Sequence, residues 1–236
     1  MSAGRPDGGR PLALVFLDGE YGDPAYYRAW VEQAGILLAA DGGARFLLEL
    51  GATPDAVVGD FDSLDEADVR RLGRAGVELV RHPVRKDATD GELAVEEAVR
   101  RGCGEVVLAG GIGALDHTLG HLAILRALAV GGVTARLVTP ELAVRVFVAP
   151  AAVSLDAAAG TRVSVVPLGA DATVTLTGLD YPLDHGRLPA AACLGLGNHV
   201  AEDGGAGMAV HDGVVAVLVE SGAESFAGPA SGGASR

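Results

Sequence analysis

Seven aspartates placed just beyond apolar runs hold most of the chemical potential of this chain. Asp18 follows one run, Asp41 a second, Asp60 and Asp62 a third; Asp87 and Asp90 lie beyond a fourth and Asp116 beyond a fifth. If those runs are parallel strands, their carboxyl ends share one sheet edge, where open α/β sheets bind ligands. Acids gathered on one edge repel one another, by about 4 kcal/mol for two charges ~4 Å apart at an effective dielectric near 20. Either some carboxyls stay protonated or a cation neutralises them. An all-oxygen set with no nearby cysteine favours a hard ion such as Mg2+, which usually keeps water and substrate phosphates in its shell. Two glycine-rich turns, Asp41-Gly42-Gly43 and Gly110-Gly111-Ile112-Gly113, each run into a predicted helix whose first N–H groups suit phosphate. The pattern points to a Mg–nucleotide site. Each Asp taken singly also has the plainer role of helix cap. Ser63-Leu64-Asp65-Glu66 and Thr89-Asp90-Gly91-Glu92 both fit a capping box. His117 and His121, four apart on one helix face, read as surface or packing residues, because no H-E-x-x-H pattern accompanies them.

Bringing those acids together requires regular strand–helix alternation. Strands are predicted over residues 12–17, 35–39, 56–58, 78–81, 105–109 and 135–139. Asp23-Pro24 reads as a cap and first helical residue ahead of a helix over 25–33. Further helices are predicted over 43–50, which stops at Gly51, and over 65–74, 90–101 and 116–130. This order argues for a mostly parallel, Rossmann-like sheet with helices on both faces. After Pro150 the texture changes. Residues 162–166, 173–177, 208–211 and 214–219 are short β-branched runs separated by Gly, Pro and Asp, and 173–177 alternates strictly. They predict a small antiparallel all-β domain. The expected organisation is a disordered N-terminus at 1–10, an α/β domain at 11–149, a β domain at 150–220 and a disordered tail at 221–236.

Composition narrows the classes of function. A chain of 236 residues suits one or two domains. Its net charge of −13 disfavours nucleic acid and anionic membrane surfaces as partners. Lys86 is the only lysine and follows Arg85, so there is no Walker A loop, which needs Gly before its Lys. Cys103 and Cys193 make neither a disulfide framework nor a zinc set. No secretory h-region precedes the first strand, and no apolar run approaches the roughly 20 residues of a membrane span. A soluble cytoplasmic protein is expected.

Ala40-Asp41-Gly42-Gly43-Ala44, Gly59-Asp60-Phe61-Asp62-Ser63, Lys86-Asp87-Ala88-Thr89-Asp90-Gly91-Glu92-Leu93-Ala94 and Leu115-Asp116-His117-Thr118-Leu119 occur in an order and approximate spacing that resembles the thiamine pyrophosphokinase (thiamine diphosphokinase) family. The likeness continues through Gly178-Leu179-Asp180-Tyr181-Pro182-Leu183 and Leu194-Gly195-Leu196-Gly197-Asn198, so it covers residues 12–218. It implies a homodimer whose α/β domain binds nucleotide and whose β domain contributes to the partner's acceptor pocket. The implied reaction moves pyrophosphate from ATP to the hydroxyethyl oxygen of thiamine and releases AMP. Carried over residue by residue, Asp60, Asp62 and Asp90 would hold Mg2+ and the phosphates, with Asp87 as a further acid nearby. Asp41, Gly42, Gly43, Lys86, Gly111, Gly113, Asp116 and His117 would bind nucleotide. Tyr181, Leu196, Gly197 and Asn198 would face thiamine, and Asp90 would accept the hydroxyl proton.

Several positions depart from the family pattern. The family Arg two residues ahead of the Asp-His pair is Ala114 here, the family Asn further along that helix is His121, and Gly197-Asn198-His199 replaces Ser-Asn-Glu. Losing a phosphate-facing Arg removes charge-assisted hydrogen bonds, which leaves Arg45, Arg81 and Arg85 as candidates to replace it. The departures keep two other readings open. One is a pyrophosphokinase for another heterocyclic alcohol such as a pterin. The other is a catalytically silent, nucleotide-binding regulatory protein.

Overall fold

The computed structural model describes residues 10–85 and 87–220. Lys86 and the expected disordered ends, residues 1–9 and 221–236, lie outside the described residues; Arg10 is exposed. The chain divides into two compact units. One runs to Ile124 and resumes at Gly131–Thr139; the other consists of Leu125–Val130 and the chain from Pro140.

The first unit alternates β1 (Leu12–Phe16), α1 (Pro24–Gln33), β2 (Ile36–Ala40), α2 (Gly43–Leu50), β3 (Ala56–Gly59), α3 (Glu66–Arg74), β4 (Glu78–Arg81), α4 (Asp90–Arg100), β5 (Glu105–Ala109), α5 (Leu115–Val130) and β6 (Thr134–Val138). Its strands lie in the order β6-β5-β1-β2-β3-β4, and every pairing is parallel. Helices cover such a sheet, so its central strands carry near-continuous apolar runs instead of alternation. All five residues of β1 are buried, as are all four of β3. The chain passes from β1 outward to β2, β3 and β4, then returns to place β5 on the other side of β1. That reversal creates a switch point between β1 and β5, at whose carboxyl edge ligands bind in such sheets.

Local chemistry sets the helix starts. Asp23 Oδ1 accepts the Ala25 N–H at 2.9 Å, with Pro24 in the first turn of α1. Gly51, at φ 78, closes α2 in the left-handed conformation that glycine adopts without steric cost. The capping box expected at Ser63–Glu66 does not form: Asp65 caps α3 by accepting the Asp68 N–H at 2.7 Å. The expected box on α4 does form. Thr89 Oγ1 accepts the Glu92 N–H at 3.2 Å, and Glu92 Oε2 accepts the Thr89 N–H at 2.7 Å. Thr89 therefore does the capping at this helix start. Ala94, Val95 and Ala98 seat α4 over β2 and β3.

The second unit contains β7 (Leu142–Val148), β8 (Ala151–Ser154), β9 (Arg162–Pro167), β10 (Ala172–Thr177), β11 (Leu183–Leu188), β12 (Asn198–His199), β13 (Gly207–Asp212) and β14 (Val214–Glu220). They form two antiparallel layers, β12-β9-β14-β7 and β11-β10-β13-β8. One core serves both, with Val163, Val165, Val215 and Val217 from the first layer and Val174, Leu176, Leu188 and Val210 from the second. The unit begins ahead of the boundary expected at 149/150, because β7 pairs with β14 from Leu142↔Glu220 through Val148↔Val214.

Candidate active site

The carboxyl edge of the first unit's sheet opens into a cavity of about 640 Å³. Asp18, just beyond β1, lines it together with Asp41 beyond β2, Asp60 and Asp62 beyond β3, Asp90 at the start of α4 and Asp116 in the first turn of α5. Leu17, Val84, Ala88 and Gly120 supply smaller apolar stretches of wall, and His117 and His121 complete the α5 side.

The acids are drawn together by backbone geometry. Asp41 (φ 39) and Phe61 (φ 68) both hold left-handed backbone, which costs a non-glycine residue on the order of 1–3 kcal/mol and persists where surrounding contacts enforce it. The turn at Phe61 lets Asp60 Oδ1 accept the Asp62 N–H at 3.1 Å. Arg81 holds that turn from outside: its guanidinium donates to the Asp60 carbonyl at 3.0 Å and lies 4.6 Å from the Phe61 ring centre. Arg45 donates to the Ser63 carbonyl from the α2 side. Ser63, displaced from its expected capping role, gives its N–H to Asp41 Oδ2 at 3.3 Å and its hydroxyl to Asp62 Oδ1 at 3.3 Å.

As a result, Asp41, Asp60 and Asp62 each present a carboxylate oxygen, and these oxygens lie within 4.8 Å of one another. Asp41 is only 6% exposed, and its Oδ1 has no hydrogen-bond partner among the described residues. Burial pushes its carboxyl above the usual range; the Ser63 hydrogen bonds pull it back, and Asp62 and Asp90 push it up again. A buried acceptor without a donor is costly. A hard cation satisfies it and offsets the repulsion, so the all-oxygen set fits Mg2+. Asp90 adjoins this trio across Gly59, where a Cβ would fall 3.0 Å from Asp90 Oδ1 and 3.1 Å from Asp41 Cβ.

The remaining predicted residues divide into wall, scaffold and outside. Asp116 and His117 are wall. Gly42 and Gly43 permit close approach: a Cβ on Gly42 would meet Asp18 Oδ1 at 2.7 Å, and one on Gly43 the Phe16 carbonyl oxygen at 2.3 Å. Gly111 packs against Leu17 and His121, and the Gly113 N–H donates to Thr118 Oγ1 at 3.3 Å. Asp87 is exposed and outside the cavity wall, and Lys86 falls outside the described residues. Arg45 and Arg81, two of the possible replacements for the missing family Arg, buttress the acidic turn and are not among the wall residues.

Among the predicted acceptor residues, which lie in the second unit, Tyr181 and Leu196 are exposed. Gly197, at φ 68, donates its N–H to Ser164 Oγ at 3.0 Å. Asn198 is buried and committed internally. Its Oδ1 accepts the Tyr181 and His199 N–H groups at 3.0 and 2.9 Å, and its Nδ2 donates to the Tyr181 carbonyl at 2.8 Å. Its side chain thus fixes the loop that displays Tyr181.

Comparison with known proteins places this geometry in context. The profile described as "Thiamin pyrophosphokinase, catalytic domain" matches residues 27–134, and that described as "Thiamin pyrophosphokinase, vitamin B1 binding domain" matches residues 152–215. A thiamine pyrophosphokinase of Bacillus subtilis is 27% identical over 180 residues, which is 75% of this chain and 83% of the relative. The crystal structure of a thiamine pyrophosphokinase from Bacillus subtilis superposes with a TM-score of 0.78 at 22% identity, covering 90% of this chain and 99% of that one. The yeast thiamin pyrophosphokinase structure gives a TM-score of 0.75 at 15% identity, covering 92% and 88%. Both structures share the fold. No helix among the described residues is long and apolar enough to cross a membrane.

Proposed function

The chain belongs to the thiamin pyrophosphokinase family, and from that premise we propose that it moves the pyrophosphoryl group of ATP onto the hydroxyethyl oxygen of thiamine in a Mg2+-dependent reaction. The products are thiamine diphosphate and AMP. The observation that carries the reading is the Asp41–Asp60–Asp62 cluster, with a buried Asp41 oxygen that has no hydrogen-bond partner among the described residues, on the ligand-binding edge of the sheet. Mg2+, when bound, would neutralise phosphate charge and fix the geometry of transfer. The chain's own part is to hold and position, because phosphoryl-type transfer needs placement and charge stabilisation more than covalent chemistry. Asp41, Asp60 and Asp62 would hold the ion. The thiamine hydroxyl oxygen forms a bond to the β-phosphorus, and the bond from that phosphorus to the α,β-bridging oxygen breaks. AMP leaves with the electron pair, and Asp90, beside the trio, takes the hydroxyl proton. An acidic wall also suits the cationic thiazolium of the acceptor. The resemblance further implies a homodimer, in which the exposed Tyr181 and Leu196 would serve the acceptor.

The test incubates the protein with ATP, Mg2+, thiamine and a panel of other heterocyclic alcohols, pterins included. Equal amounts of AMP and thiamine diphosphate, from protein that sediments as a dimer, are expected. A pterin as best acceptor would replace thiamine in the proposal. Nucleotide binding without AMP from any acceptor would replace catalysis with a silent regulatory role.

A further inference from the structure

His121 is 8% exposed, yet it forms part of the cavity wall. Its Nδ1 lies 2.7 Å from the Gly111 carbonyl oxygen. A carbonyl oxygen only accepts, so Nδ1 carries the proton. Burial is the leading influence on the ring and holds its basicity below the ordinary value, with His117 adding to the effect and the Gly111 contact opposing it. A neutral imidazole protonated on Nδ1 bears a bare lone pair on Nε2. No hydrogen bond to Nε2 occurs among the described residues. The backbone at Gly111 lets the ring approach closely, and Gly91 lies on its Nε2 side. A Cβ at Gly111 would fall 2.9 Å from Nδ1, and a Cβ at Gly91 would fall 3.8 Å from Nε2. Gly91 also lines the cavity and follows Asp90, so the lone pair sits beside the acidic end of α4.

We propose that His121 determines specificity for a substrate of the reaction: its Nε2 accepts a hydrogen bond from a substrate O–H or N–H group and disfavours an unprotonated oxygen at the same place. The inference deepens the pyrophosphotransfer reading and rests on it for the identity of the substrates. An ionised phosphate oxygen has no hydrogen to give, so the partner is a sugar hydroxyl or exocyclic amine of the nucleotide, or the hydroxyl or amine of the alcohol substrate. Histidine, locked by Gly111, narrows the position to acceptance alone.

The test compares His121→Leu, which keeps bulk and removes the lone pair, with His121→Asn, which restores an acceptor. The wild-type protein is examined in parallel by 15N NMR of the His121 ring. His121→Leu should raise KM for one substrate about 10- to 100-fold, the range for leaving a buried partner unsatisfied. Its kcat should stay within about threefold, and His121→Asn should recover most of the loss. In the wild type, the Nε2 resonance should shift when that same substrate binds. A rise in KM for ATP that disappears with a deoxyribose or 6-oxopurine triphosphate places the donor on the nucleotide. A rise confined to thiamine places it on the alcohol. Unchanged KM values in His121→Leu, or an Nε2 resonance unmoved by Mg–ATP and by thiamine, would overturn the proposal. If the wild type turns over no substrate, the pyrophosphotransfer reading fails, and the resonance on adding Mg–ATP or thiamine still decides whether His121 contacts a ligand.

Discussion

Asp87 and Asp90 stand three residues apart in one motif and have different surroundings. Asp90 lines the cavity beside Asp41, whereas Asp87 is exposed and outside the wall. Asp62→Asn and Asp90→Asn should therefore each lower turnover at least 100-fold, while Asp87→Asn stays within about threefold; both expectations follow the rule that groups stabilising developing charge must adjoin it. Steady-state rates on proteins with matched circular dichroism check this, and an equal loss at Asp87 would contradict the placement. At this scale the sequence was partly informative. The acids were legible because each follows an apolar run. Ser63, Arg81 and Gly59 were not, since their parts depend on contacts made through folding. Ser63 reaches Asp41 across 22 positions, and Arg81 reaches the Asp60 carbonyl across 21. Ser63 also fits a local capping pattern, and Asp65 outcompetes it for that task.

The helices that position the acids have their own stabilising chemistry, and α4 shows it best. Its buried Glu97 accepts from Arg100 Nε at 2.7 Å and Arg101 Nε at 2.6 Å, while Arg101 also donates to Glu78 of β4 at 2.8 Å. The Arg100 hydrogen bond is the main cause holding the Glu97 carboxyl below its usual value of 4.5, against the opposing effect of burial. A carboxyl that titrates lower when folded contributes stability in full above the unfolded value and loses it as pH falls through the folded one. Glu97→Gln should thus lower Tm by a few degrees at pH 7 and by progressively less below about pH 4.5, as followed by thermal melts across pH. A constant difference across that range would mean the pairing contributes nothing through charge. The same contrast between local and distant forces explains which elements could be read in advance. The α/β alternation is written in caps and apolar runs. β7, Leu142–Val148, was missed although its own β-branched apolar run marks a strand; its pairing with β14 shows that it belongs to the second unit. β11 was missed because Leu183-Asp184-His185-Gly186-Arg187-Leu188 has poor strand propensity and is held by its register with β10, including Ala172↔Leu188.

For the whole molecule, the net charge of −13 and the gathered carboxylates would make the proposed cation binding a stability term. At a Mg2+ concentration of 100 Kd, linkage predicts about 2.7 kcal/mol of added stability. For a chain of this size that corresponds to a rise in Tm of roughly 5–10 °C. Calorimetry with Mg2+ and with a chelator should show the rise, and Asp62→Asn should abolish it; an equal rise in the variant would locate the ion elsewhere. The cavity wall has a wider consequence. Six aspartates face it, and no arginine is among the described residues that line it. On the proposed reading, these carboxylates would repel an uncomplexed polyphosphate, so a chelated donor would enter more readily. If the proposed reaction holds, nucleotide in excess of Mg2+ should slow turnover mainly by sequestering the ion, which steady-state rates at fixed nucleotide and varied Mg2+ would show.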